Sequence, residues 1–166
     1  GELIDSLART ASLGSDVVRD TAIWAIWALS QAAGCASSSI QELYMAMGRG
    51  EVKGYTAAAI NLRGLTYYKS RAAFRAAKSM DAGPVIFEIA RSEIGYTMQR
   101  PTEYASIILA AALREGWNLP VFVQGDHFQL NAKKYAADPE NELNGAKELI
   151  REAVPAGFYN IDIDTS

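Results

Sequence analysis

The chain has 166 residues, 49% of them hydrophobic and 21% charged, with a formal net charge of −3. That is apolar material for one core or most of one, and without a basic block it argues against a nucleic-acid or anionic-membrane partner. A single cysteine, Cys35, excludes an intrachain disulfide and fits a reducing cytoplasm.

Residues 1–50 read as helical. The chain opens at Gly1 rather than at a methionine and reads as trimmed at one end or both. Ser15-Asp16 can cap a helix that runs to about Ala33 and stops at Gly34. Its apolar window TAIWAIWALSQAAGC, 21–35, is shorter than the roughly 20 residues that a membrane span needs. Arg19 and Asp20 precede it without a basic n-region, so a packed helix is expected rather than a signal or an anchor. Trp24 and Trp27 should pack against neighbouring helices or a second subunit. Cys35 is expected as a plain buried thiol. Ser39-Ile40-Gln41-Glu42 has the capping-box pattern and should open a helix ending near Gly48, with Tyr44, Met45 and Met47 in the core.

From residue 51 the texture changes. Four short apolar runs appear: YTAAAIN (55–61), PVIFEIA (84–90), PVFVQGD (120–126) and FYNIDID (158–164). The first three are each followed by a helical stretch, at 65–80, 102–115 and 142–154. Strand then helix at this rhythm is the signature of a parallel α/β sheet. Gly83-Pro84, Gly116 and Gly157 mark the helix ends, and Thr102 after Pro101 is a candidate N-cap. The fourth run has no helix after it. It would leave an open edge and an uncovered face, as in a piece of a larger array or a chain that pairs with another copy.

Side chains alternate along a strand. Glu88 lies opposite Phe87 and Ile89, Gln124 shares a face with Asp126, and Asn160, Asp162 and Asp164 share another. Polar residues continue just beyond each run: Asn61 and Arg63, Arg91 and Ser92, His127, and Thr165 and Ser166. Strands buried on both sides read as continuous Val/Ile/Leu instead. Polar groups gathered at strand C-termini are the arrangement of a TIM-barrel active site. The plainer alternative is a structural network in which these carboxylates pair with Arg63, Arg91 or lysines. The third run ends on Asp126 beside His127, which is the only histidine in the chain. Lys133-Lys134-Tyr135 beyond it reads as a solvated loop that could also steer an anion.

At QGDHFQLN and FYNIDIDTS the sequence resembles the class II, metal-dependent aldolases, a family that includes fructose-bisphosphate and tagatose-bisphosphate aldolases. The resemblance runs from about residue 39 to the end. SIQELYMAMGRGE resembles the helix that closes the barrel floor, TAAAIN the first strand with its terminal Asn61, and PVFVQGDH the third strand with its Asp-His pair. REAVPAGFYNIDIDTS resembles the fourth segment, ending Ile163-Asp164-Thr165-Ser166. It implies the first half of a TIM barrel over 51–166, cut after strand four, behind a helical extension and floor helix over 1–50. It further implies His127 as a ligand of a catalytic Zn2+ and Asp126 as the acid/base at the aldehyde-derived hydroxyl. Asn61 would hydrogen-bond substrate and Asp164 would lie at the pocket wall. The implied reaction is reversible cleavage of a ketose (bis)phosphate through a zinc-stabilised enediolate, in a cytoplasmic homo-oligomer.

The chain departs from the family pattern in three places. Gln124 stands where many members have a second His, Phe128 follows the Asp-His pair in place of Gly, and Ala90-Arg91-Ser92-Glu93 replaces a small hydroxyl residue. Arg91 is a candidate for holding an anionic substrate. A catalytic zinc takes three protein ligands, and one histidine in half a barrel implies further ligands outside this chain. Two readings compete: a non-catalytic half-barrel that interacts with other proteins, and another metal-dependent (βα)8 lyase or epimerase.

Overall fold

The structure is a computed structural model that describes residues 1–165, so Ser166 lies outside the described residues. Two helices open the chain, α1 (Glu2–Leu13) and α2 (Asp16–Ala32), followed by a two-residue strand β1 (Ser37–Ser38) and the short helix α3 (Gln41–Gly48). Then come β2 (Ala58–Asn61), α4 (Thr66–Ser79), β3 (Val85–Ala90), α5 (Arg91–Thr97), α6 (Pro101–Arg114) and β4 (Val121–Asp126). The chain closes with α7 (Ala132–Ala137), α8 (Pro139–Ala153) and β5 (Asn160–Ile161).

The sheet is parallel throughout. β2 pairs with β3, β3 with β4 and β4 with β5, so the four anticipated strands lie side by side in chain order. β1 was not anticipated. It occupies the same edge of β4 as β5, with β1 beside the start of β4 and β5 beside its end. Ala36 O accepts from Val121 N at 3.0 Å, and the Ser37 hydroxyl donates to Gly157 O at 2.7 Å. A pair of serines carries no strand periodicity; the extended form here is held by tertiary hydrogen bonds.

The core lies on one face of the sheet. Phe87 and Ile89 of β3 and Val121 and Val123 of β4 pack into one apolar cluster with Phe74 of α4 and with α6. Phe74 stands 5.0 Å from the Phe87 ring and 5.1 Å from Trp117, within the range of favourable aromatic pairs. α6 is buried continuously from Tyr104 to Ala112. Its sequence YASIILAAA is apolar or small all round because it has neighbours on every side. The sheet lies on one side, and α1 and α2 cover the other, contributing Ala8, Ala11, Ala22 and Ile26 to the same core. Trp27 Nε1 reaches Ser106 Oγ at 3.1 Å, whereas Trp24 stays exposed to solvent. Cys35 is fully buried, and burial raises its thiol pKa.

Several local expectations need correction. α3 buries none of its residues, and Tyr44 and Met45 are exposed rather than in the core. The Ser39 hydroxyl bonds the Gln41 amide at 3.2 Å, not an amide of Glu42 as a capping box would require. α6 opens one residue early, with Pro101 in its first turn and Arg100 as N-cap, so Thr102 is already helical. The last strand is two residues long rather than seven. Its partner leaves strand geometry at His127, which breaks the regular ladder.

Candidate metal centre

β4 alternates buried and half-buried residues, with Val121, Val123 and Gly125 facing the core and Phe122, Gln124 and Asp126 the other face. The strand ends abruptly because Phe128 folds back over it. A Cβ on Gly125 would lie 2.6 Å from the Phe128 ring, so only glycine allows this return. Between them His127 sits in the left-handed region, at φ +43°, an uncommon conformation for a non-glycine residue. The tail after β5 then follows the turn. Asp162 N donates to Gly125 O at 2.8 Å, Phe128 N to Asp162 O at 2.9 Å and Leu130 N to Asp164 O at 3.1 Å. These three bonds set Asp162 and Asp164 against His127.

The single imidazole is ringed by carboxylates. Its Nδ1 lies 3.2 Å from Asp164 Oδ2 and 3.8 Å from Asp162 Oδ2, and its Nε2 lies 3.7 Å from Asp126 Oδ1. The ring itself is exposed, while Asp126 and Asp164 are largely covered. The hydrogen bond to Asp164, then the charge of Asp126, raises the His127 pKa above its ordinary value. Ligand atoms of Asp126, His127 and Asp162 all fall within 4.8 Å of one another. One imidazole nitrogen with two carboxylate oxygens is a donor set that suits a divalent cation such as zinc. Asp164 would then hold Nδ1 from behind, orienting Nε2 as a ligand.

A polar row crosses the sheet on the face away from the core. Asn61, Glu88, Gln124 and Asn160 stand in register on β2, β3, β4 and β5. Gln124 Nε2 donates to Glu88 Oε2 at 2.8 Å. Partial burial, reinforced by the nearby Asp126 charge, raises the Glu88 pKa. Asn160 Oδ1 accepts from Ile40 N at 3.1 Å and ties α3 to the row.

Asp126, His127 and Asp164 lie together, and Asp162 joins them. The alternation in NIDID already placed Asp162 and Asp164 on one face, and this was the signal for it. Asn61 and Arg91 are engaged elsewhere. Asn61 Nδ2 donates to Glu93 Oε2 at 2.8 Å while its Oδ1 accepts from Arg63 Nε at 2.9 Å. Arg91 Nη1 donates to Gln129 O at 2.8 Å and to buried Glu142 at 2.6 Å. Arg63 and Arg91 do form structural ion pairs, with Glu93 and Glu142, while Asp126, Asp162 and Asp164 lie around His127. Among the described residues no helix is long and apolar enough to cross a membrane.

No family model, curated protein or solved structure matches the chain.

Proposed function

We propose that this chain is part of a metal-dependent aldolase of the class II type, acting on a ketose phosphate or bisphosphate. The observation that supports it most directly is the sole imidazole set between Asp126 and Asp162 at the C-terminal end of a parallel strand, with Asp164 against its other nitrogen. In this reading the sequential parallel strands are one half of a TIM barrel, and the polar row lines its interior. The strand order and the one-sided helical cover support that placement.

The residues divide the work by position. His127 and Asp162 would hold the cation, with Asp126 beside them and further ligands coming from the rest of the barrel. When bound, a divalent zinc supplies Lewis-acid polarisation of a carbonyl oxygen. Asp126 is the acid/base: it takes or returns the proton of the aldehyde-derived hydroxyl as the C–C bond breaks or forms. Gln124 fixes the Glu88 carboxyl in the layer beneath, so the floor of the site is a defined hydrogen-bonded surface. Asn61, held by Glu93 and Arg63, belongs to the same polar row on β2.

The test is aldol cleavage of a ketose bisphosphate panel by the assembled enzyme. Turnover should vanish on full chelation and return with zinc, and Asp126→Ala should abolish it while the circular dichroism spectrum persists. Turnover that survives chelation would sink the proposal. A specific observation favours a second reading, a non-catalytic half-barrel: the chain holds one histidine, and both Asn61 and Arg91 are bonded within the protein. That reading requires that no substrate in the panel be turned over and that zinc leave the His127 ring unshifted.

A further inference from the structure

The helical layer holds a second space, between α1, α4 and α6. It is a half-open cavity of about 660 Å³, within the range of small-ligand sites. None of its lining residues belongs to the His127 cluster or to the polar row. Its apolar wall is formed by Ala8 and Leu13 of α1, Tyr68 of α4, Ile107 of α6, and Leu65. Leu13, Leu65 and Tyr68 are 81%, 72% and 63% exposed, so large apolar side chains from two distant parts of the chain gather at one rim. Leu65 is held there at φ +52°, a left-handed conformation that strains a leucine. The Tyr67 ring stands edge-on to Tyr68, with centroids 5.6 Å apart.

The charges around this cavity are of two kinds. Asp5 is satisfied within the wall, accepting from the Tyr67 hydroxyl at 2.6 Å and from Arg114 Nε at 3.1 Å. Arg71 is paired with Glu115. Arg9 and Glu103 differ. The Arg9 guanidinium makes no hydrogen bond or ion pair among the described residues. The Glu103 carboxylate has no cationic partner among them, and its Oε1 accepts from Gln99 Nε2 at 3.1 Å. Gln99 is fixed in turn by the buried Thr66 hydroxyl, which donates to its Oε1 at 2.7 Å. One oxygen of Glu103 is thus anchored and Oε2 is left open. A cation and an anion line the same space and form no ion pair with each other. The Ser12 and Tyr68 hydroxyls, also without hydrogen-bond partners among the described residues, line it with them.

We infer that this cavity binds a zwitterion with a large apolar body, of the size and polarity of a hydrophobic dipeptide. Its carboxylate meets Arg9, its ammonium meets Glu103 Oε2, and its side chains lie against Leu13, Leu65 and Tyr68. A ligand with one charge would satisfy one group and leave the other unmatched. Arg9 and Glu103 stand beyond ion-pair distance of each other, which suits the separated termini of a dipeptide better than the adjoining charges of a single amino acid. The site does not depend on the reading of His127 as a metal centre.

The test titrates the full chain with L-leucyl-L-phenylalanine, followed by ¹⁵N–¹H correlation spectra, beside the N-acetyl derivative and the C-terminal amide of the same dipeptide. Saturable shifts are expected at the amides of Arg9, Leu13, Tyr68 and Glu103. Each capped ligand should bind about fivefold more weakly, the scale of one exposed ion pair. Arg9→Gln should remove the preference for the dipeptide over its amide and keep the preference over the N-acetyl form; Glu103→Gln should do the reverse. An unchanged circular dichroism spectrum shows that both variants fold. An absence of saturable shifts, capped ligands that bind as tightly as the parent, or preferences that survive both substitutions would each overturn the assignment. Shifts confined to the exposed Val17 and Trp24 of α2 would overturn it as adhesion to an apolar surface. Shifts of the cavity amides on simple dilution of the protein would give the space to a second copy instead.

Discussion

At the scale of single residues, His127 governs the expected pH behaviour. Its pKa is raised by Asp164 and Asp126. A group whose folded pKa lies above its unfolded value adds stability that is fully present below the unfolded pKa of about 6.5 and is lost as pH rises through the folded value. As the only histidine, it gives one isolated set of ring signals in a proton spectrum. Those signals should titrate above the ordinary value in the native chain and move back toward it in Asp164→Asn. Glu142 behaves oppositely: its contribution is present above the unfolded pKa of about 4.3 and is lost as pH falls through its lowered folded value. In the proposed metal site zinc and proton would compete for the same imidazole, so zinc affinity there should weaken as pH falls through the raised His127 value. Gly125 sets the turn. Gly125→Ala places a methyl 2.6 Å from the Phe128 ring and should destabilise the fold by roughly 1–3 kcal/mol in urea melts, while blurring the His127 signals. At this scale the sequence was informative. The Asp126-His127 pair and the alternation of Asn160, Asp162 and Asp164 could be read directly. That Asn61 and Arg91 are bound inward could not, because their partners Glu93 and Glu142 lie 32 and 51 residues away.

At the scale of elements, legibility followed length and periodicity. α2, α4, α6 and α8 and strands β3 and β4 were readable because each is long enough to show its period. α5 and α7, with 7 and 6 residues, show less than two turns of helical periodicity. β1 has two serines and no hydrophobic signal at all. The misplacement of Tyr44 and Met45 has a different cause. α3 carries apolar residues that suggest a core face, yet none of its residues is buried, and its N-terminal junction is tied to Asn160. α6 is the opposite case, with Ile107, Ile108 and Leu109 at 0–2% exposure. Ile108→Ala should therefore cost about 2–5 kcal/mol in a denaturant melt, whereas Met45→Ala should stay within about 0.5 kcal/mol of the parent chain.

At the scale of the whole molecule, helices cover one face of the sheet and the polar row Asn61–Glu88–Gln124–Asn160 occupies the other. The parallel α/β class could be read from the strand–helix rhythm, and so could the chain-order pairing it implies. The attachment of the N-terminal helices to α6 could not, since it is made by small residues such as Ala8, Ala11 and Ala22 whose packing leaves no strong pattern.

The pairing of β1 with β4 also has a bearing on time. Ser37 meets Val121 across about half of the chain, so that contact closes a very long loop. Loop closure of that length is favoured only after the intervening elements have condensed. The β2–α4–β3–α6–β4 segment should form first, and the N-terminal strand should lock on last. Ser37→Ala, which removes the buried bond to Gly157 O, should then speed unfolding and leave the folding rate nearly unchanged in a chevron plot. The two-serine strand would thus act as a latch that sets how long the native state lasts, with little influence on how quickly it is reached.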